Sequence, residues 1–249
     1  MRDPQLYRTI SSTYATTRQE DPRVAARIHQ AIGTADRVVN VGAGTGNYEP
    51  TDRSVVAVEP SEEMIAKRRP GAAPVVRGVA EALPFEDGAF DAAMACLTLH
   101  HWQDRRRGLA ELRRVASRQV VFLFEPAATY SMWVVDYWPS ALDLPSEQDL
   151  PAAEDLGEIL SVVDLQPVPI PIDCTDGFGA AFWGRPEAYL DPAVQQGMSW
   201  LAQLPEETLA GGSARLDADL RSGAWDERYG HLRELETLDV GYRLVVAES

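Results

Sequence analysis

The chain has 249 residues, 45% of them hydrophobic, with 23 Lys+Arg against 38 Asp+Glu and a formal net charge of −15. That excess of acid repels phosphate backbones and anionic lipid, which argues against non-specific nucleic-acid binding and a lipid-surface anchor. The hydrophobic share belongs to a globular chain and not to a disordered one.

Asp21-Pro22 reads as an N-cap followed by proline at the first helical position. The helix carries Val24, Ala25, Ile28 and Ile32 and stops at Gly33. Arg37–Val41 is a short apolar strand that delivers the chain to Gly42-Ala43-Gly44-Thr45-Gly46. Residues 54–58 form a second strand ending in Glu59, and Ser61 caps a helix with Glu62 and Glu63 in its first turn, where the helix dipole favours anions. Val75–Arg77 and residues 90–97 are the third and fourth strands, and Leu109, Leu112 and Val115 mark the helix that follows. Residues 120–124 are apolar throughout and read as a fifth strand buried on both faces. This alternation predicts a parallel sheet wound on both sides.

The second half is less regular. Tyr130, Trp133, Tyr137 and Trp138 lie in an aromatic stretch, followed by a predicted helix at 152–160. Residues 162–172 have strand character broken by Pro167, Pro169 and Pro171, which suits a sheet edge. Residues 177–222 read as helices and loops, with Asp191-Pro192 a second helix start, and residues 238–247 as a final strand. No internal repeat or linker appears, so a single domain over 1–249 is expected. It comprises an N-terminal lid segment (1–21), a core (about 22–125) and a C-terminal substrate and lid part (about 126–249). Two cysteines, Cys96 and Cys174, show no metal-site spacing and point to a reducing compartment. The N-terminus lacks the apolar core of a signal peptide, and no stretch approaches a bilayer span, so a cytoplasmic protein is expected.

The glycine loop is the most informative segment. Glycines let the backbone turn tightly and approach a ligand. The loop leaves the carboxyl end of a strand, where open α/β sheets bind their ligands. A plain tight turn would read the same way. Glu59, however, lies at the end of the next strand, 59 − 42 = 17 residues beyond Gly42, where a carboxylate can accept both hydroxyls of a ribose. Asn47 stands where the dinucleotide fingerprint wants a glycine, so a nucleoside ligand without a pyrophosphate fits better than a nicotinamide or flavin.

Taken together, VVNVGAGTGNYEP, VVAVEPSEEMI, GVAEALPFEDGAFDAAMACLTLHHW and GYRLVVAE resemble the class I S-adenosylmethionine (SAM)-dependent methyltransferases. The similarity is to the group that includes the ubiquinone/menaquinone C-methyltransferases, and it covers about residues 12–125 and the final strand. It implies a Rossmann-like three-layer α/β sandwich. The sheet would be mainly parallel and seven-stranded with an antiparallel last strand, and a helical insertion at about 176–230 would form a lid. SAM is the implied cofactor and S-adenosylhomocysteine the product.

By the same resemblance, Gly42, Ala43, Gly44 and Gly46 lie beside the amino-acid end of SAM, and Glu59 holds the ribose. Pro60, Ser61 and Met64 follow; Met64 either packs on the adenine or belongs to the core. Val79, Ala80 and Glu81 match the adenine-edge segment. The family often has Asp where this chain has Val79, so the adenine amino group falls to Glu81 or to backbone. Tyr14 and Arg18 lie in a segment that folds over the cofactor. Arg18 either pairs with the SAM carboxylate or sits solvated on the surface. Leu97 ends the fourth strand beside the methyl group. His101 is the first candidate for a general base, with His100 behind it, unless the pair only shapes the pocket.

The acceptor side is expected outside the motifs, from Trp133, Tyr137, Trp138, Phe178, Phe182 and Trp183. Such clusters suit an apolar or aromatic small molecule, although the same rings could simply pack the inserted helices. Asp136 and Asp173 are candidate polar partners. The expected reaction is in-line SN2 attack by a small-molecule acceptor on the SAM methyl group. Three alternatives stay open at this level: SAM cyclisation or aminocarboxypropyl transfer, SAM binding without catalysis, and nicotinamide-dependent oxidation.

Overall fold

The structure, a computed structural model, describes residues 18–249. Local signals set the first half. The Asp21 carboxylate accepts a hydrogen bond from the Arg23 amide at 2.9 Å, Pro22 opens α1 (Pro22–Ile32), and Gly33 ends it. Then come β1 (Arg37–Val41), β2 (Ser54–Glu59), α2 (Glu62–Ala66), β3 (Val75–Arg77), β4 (Phe90–Cys96), α3 (Arg105–Val115) and β5 (Ala116–Phe124). The Ser61 hydroxyl caps α2 by accepting from the Met64 amide. The second half supplies α4 (Pro126–Tyr130), α5 (Pro145–Gln148), β6 (Val162–Pro167) and β7 (Ile170–Pro171). It ends with α6 (Pro192–Gly197), α7 (Ser199–Ala202), α8 (Glu206–Ser222), α9 (Ala224–Tyr229), β8 (Thr237–Leu238) and β9 (Tyr242–Glu248).

Seven strands form one sheet in the order β3-β2-β1-β4-β5-β9-β6. Neighbours from β3 to β5 pair parallel, and β9 lies antiparallel between β5 and β6. This is the expected Rossmann-like α/β architecture with its antiparallel last strand. Because successive side chains on a strand point to opposite faces, the sheet feeds two cores. Val38, Met94, Phe122 and Leu244 pack with α1 and the aromatics of the inserted segment. Val39, Ala93, Val121 and Val245 pack with Leu109, Leu112 and Val115 of α3.

Several boundaries differ from expectation for identifiable reasons. The fourth strand stops at Cys96 because Leu97 turns to φ +51°. β5 starts at Ala116, where its polar first residues are supported: Arg118 pairs with Glu248 of β9, and the Gln119 amide donates to the Ala116 carbonyl at 2.6 Å. The predicted final strand divides because Asp239 accepts from the Gly241 amide at 3.0 Å in a turn, leaving Thr237–Leu238 to pair with Ile170–Pro171 as a separate ribbon. Residues 162–172 divide likewise, and β6 lies at the sheet edge as its prolines implied. The helix expected at 152–160 contracts to the 3-10 turn Glu154–Glu158. Residues 42–53, which connect β1 to β2, contain turns but no helix. No helix in the described part is long and apolar enough to cross a membrane.

Candidate active site

The glycine loop stands without a following helix. Gly42 takes φ +71°, and a Cβ there would lie 2.0 Å from the Thr98 hydroxyl oxygen and 2.8 Å from its Cβ. The close approach of the first and fourth strand ends therefore demands glycine. Gly42→Ala is expected to lose about 2–3 kcal/mol through this clash, read as a lowered melting temperature. Gly42→Ala/Thr98→Gly should recover part of it.

A buried ion pair does the bracing that a helix would otherwise provide. Arg68 Nη2 donates to both Glu49 oxygens, at 2.7 and 2.8 Å, and Arg68 Nη1 donates to the Gly44 carbonyl at 3.2 Å. Glu49 also accepts from the Asn40 amide at 3.1 Å and the Ala73 amide at 2.9 Å. Gly46 faces this brace, because a Cβ on it would sit 3.1 Å from a Glu49 oxygen. It shapes the loop from behind and is not part of the cavity wall, which corrects its expected place beside the ligand.

In front of the loop opens a cavity of about 600 Å³, inside the range usual for ligand pockets. Gly42, Ala43, Gly44, Glu59, Pro60, Ser61, Met64, Val79, Ala80, Glu81, Leu97 and Arg18 all line it, as expected. Tyr14 lies outside the described residues. Glu59 Oε2 accepts from the Gly44 amide at 2.8 Å and Oε1 from the Ser61 amide at 2.9 Å. A carboxylate offers about four lone-pair sites, so each oxygen keeps one for a vicinal diol. Burial pushes the Glu59 pKa above the usual carboxylate range, against the pull of the two amides and of Arg68. At the far end, Val79 leaves 44% of its surface open, a face on which an adenine can rest. Glu81 Oε1 is engaged by the Gln103 and Asp104 amides, so it fixes the loop ahead of α3.

Asn40, Thr98 and Trp102 also join the wall. For Asn40 the available signal was a polar side chain inside the apolar run that follows Arg37 in β1; Trp102 carried no local signal. Both Asn40 Oδ1 and Trp102 Nε1 are buried without a protein partner. Cys96, also in the wall, and Cys174 are free thiols. Burial pushes both up, Cys174 to about 12, so neither is a thiolate near neutrality.

A second, smaller cavity of about 130 Å³ adjoins the first, and the two share Arg18, Met64, Leu97 and His101. Leu97 holds its left-handed conformation at this junction, where strain in a bulky residue marks a functional position. The 3-10 turn Leu99–His101 places His100 in the smaller cavity and His101 in both. Their rings lie 3.9 Å apart, and His100 meets Phe124 edge-on at 5.7 Å.

Of the six aromatics expected on the acceptor side, Phe178 lines the smaller cavity. The other five pack the inserted helices. Trp133, Trp138 and Trp183 donate their indole N–H groups to the carbonyls of Trp183, Leu209 and Ile170 at 2.7, 3.1 and 3.0 Å. The Tyr137 hydroxyl donates to Asp219 at 2.8 Å, and Phe182 stacks edge-on against Tyr189. Asp136 is bonded to the Tyr229 hydroxyl and Asp173 to Arg23, and neither lines a cavity. Phe124 and Tyr242, register partners at the shared end of β5 and β9, supply aromatic wall in their place. Their position in the strand motifs was the available signal.

One polar cluster had not been anticipated. Asp176 is fully buried and accepts from Arg18 Nε and from the Tyr48 hydroxyl, each at 2.6 Å. Burial and the Asp176 charge push the Tyr48 phenol well above its ordinary value, so it stays a donor.

A family model described as a methyltransferase domain matches residues 39–124. A demethylmenaquinone methyltransferase of Renibacterium salmoninarum is 38% identical over 93 residues, covering 34% of this chain and 39% of that protein. An uncharacterized protein of Methanocaldococcus jannaschii is 32% identical over 111 residues, covering 43% of this chain and 44% of that one. The chain thus spans under half the length of the curated relatives it matches. A solved structure from Anabaena variabilis, described as a methyltransferase from an antibiotic biosynthesis pathway, superposes with a TM-score of 0.85 at 29% identity. That match covers 94% of this chain and 99% of the other.

Fold, glycine loop and the Glu59 carboxylate together are those of a Rossmann-like α/β chain similar to the class I SAM-dependent methyltransferases, and residues 39–124 match their methyltransferase domain. SAM is the family's cofactor, and the residues here fit it. The larger cavity presents a diol acceptor, an apolar adenine face and two buried polar atoms awaiting partners. Its wall carries Glu59, Glu62, Glu63 and Glu81 against Arg18 and Arg77, a net acidic lining that suits a sulfonium cation better than a pyrophosphate. No helix N-terminus follows the glycine loop to receive a pyrophosphate, so the nicotinamide alternative loses its physical basis.

Proposed function

We propose that this protein transfers the SAM methyl group to a small-molecule acceptor held in the smaller cavity. The observation that carries this reading is that the two cavities meet at a common wall containing His101 and Leu97. SAM supplies a methyl group that its sulfonium already makes electrophilic, so the protein's contribution is alignment and exclusion of water. The glycine loop and Glu59 hold the cofactor, and Arg18, held by Asp176, lines the wall beside them. Leu97 and Met64 form the apolar walls of the junction. His101 takes the acceptor's proton, and His100 supports it from the acceptor side.

The test is incubation with SAM and an acceptor panel, followed by mass analysis. S-adenosylhomocysteine and a product heavier by one methylene support methyl transfer, whereas methylthioadenosine as the nucleoside product would replace this reading with cyclisation or aminocarboxypropyl transfer. His101→Ala is expected to lower kcat about 100-fold, the usual scale for a general base, while calorimetric SAM affinity stays within about twofold. An unchanged kcat would reduce the histidine pair to pocket shape.

A further inference from the structure

The smaller cavity also limits what the acceptor can be, given the reading that it holds one. An engineered apolar cavity of about 150 Å³ takes up a benzene ring, whereas pockets for drug-sized ligands run from about 300 Å³ upward. At about 130 Å³, this space is the size of one ring. Its walls leave little room to expand. Phe178 and Tyr242 pack with centroids 4.4 Å apart, Tyr242 continues to Phe124, and Phe124 continues to His100. Across from these strand-end rings in sequence, Gly179 lies so close to Trp200 that a Cβ on it would be 3.0 Å from the indole nitrogen. The family match ends at residue 124, so Phe178, Trp200 and Tyr242 belong to the part of the chain that the domain model does not describe. The curated relatives therefore do not set the acceptor's size.

We propose that the acceptor is a single-ring aromatic compound bearing a nucleophilic hydroxyl or amino group, without a fused second ring or a polyprenyl tail. Aromatic walls receive such a ring edge-to-face. The group to be methylated then lies toward the wall shared with the larger cavity, where His101 stands. The test uses protein loaded with S-adenosylhomocysteine and titrated by calorimetry with a panel of single-ring phenols and anilines, catechol among them. Their fused counterparts, 2,3-dihydroxynaphthalene and 1,2-dihydroxyanthraquinone, are titrated in parallel. Single-ring members are expected to bind at least about tenfold more tightly than the fused ones, the scale of an overpacking penalty. Trp200→Ala should bring the two-ring compound to within a factor of about two of catechol. Equal or tighter binding of the fused compounds by the unaltered protein overturns the proposal, as does failure of every single-ring compound to bind. Failure of S-adenosylhomocysteine itself to bind would instead overturn the methyl-transfer reading.

Discussion

Glu59→Ala is expected to weaken SAM and S-adenosylhomocysteine binding by about 100- to 10,000-fold. Two ribose hydroxyls lose a charged acceptor, and hydrogen bonds to charged groups contribute about 1.5–3 kcal/mol each. The side chain also aligns the Gly44 and Ser61 amides, so its loss loosens the loop as well as the contact. Glu59→Gln should not rescue binding, because its NH2 group would face one of those two N–H donors. Burial raises the pKa of Glu59, which sets the direction of a pH effect. Protonation removes an acceptor site, so cofactor affinity falls as pH drops through a value raised above that of an ordinary carboxylate. The apo protein responds in the opposite sense, because burying this carboxylate costs stability in its charged form. That contribution is most favourable below the unfolded-state pKa and is lost as pH rises through the folded one. Isothermal titration calorimetry across pH checks the affinity, thermal unfolding of the apo protein across pH checks the stability, and undiminished affinity in the Ala variant would remove Glu59 from the ribose site.

The parts of the fold that were legible rest on short-range physics. Asp21, Pro22 and Gly33 bound α1 because a cap, a locked φ and a left-handed terminus act within a few residues. β1 appears at the expected residues, since an apolar run in a two-faced sheet needs no distant partner to be recognised, and the short edge strand β3 does so too. The failures involve distant partners. The polar start of β5 depends on Glu248, far along the chain, and the division of the last strand depends on pairing with Ile170–Pro171. The tryptophans show the same limit. An indole in a helical insertion can face a ligand or a core, and only the carbonyls that Trp133, Trp138 and Trp183 reach assign them to the core. Most of the wall of the larger cavity was legible because its residues cluster within the motifs at strand ends. The wall of the smaller cavity was less so, because beyond the motif residues and Phe124 it is assembled from pieces between Thr129 and Tyr242.

Asp176→Ala is expected to destabilise the protein by about 3–5 kcal/mol, the scale for leaving one member of a buried ion pair uncompensated. For a chain of this length, that corresponds to a melting temperature lower by about 10 °C. Arg18 keeps only 13% of its side chain exposed, and Tyr48 would lose the acceptor for its hydroxyl. The effect should reach beyond stability. Residues 18–21 are tied to both sides of the site: Asn47 donates to the Arg18 carbonyl, the Tyr48 amide to Glu20, and Thr175 to the Glu20 carbonyl and to Asp21. Asp176 thus joins the glycine loop, the segment entering α1 and the acceptor wall near Phe178. A double replacement separates the two roles. Arg18→Met/Asp176→Leu removes both charges together, so it should regain most of the lost stability, as apolar substitutes for buried pairs do. Turnover should stay low in both variants, because Arg18 lines the junction of the two cavities. Differential scanning calorimetry and steady-state kinetics on the single and double variants make the comparison. Full activity in the double variant would show the cluster to be a structural clamp alone.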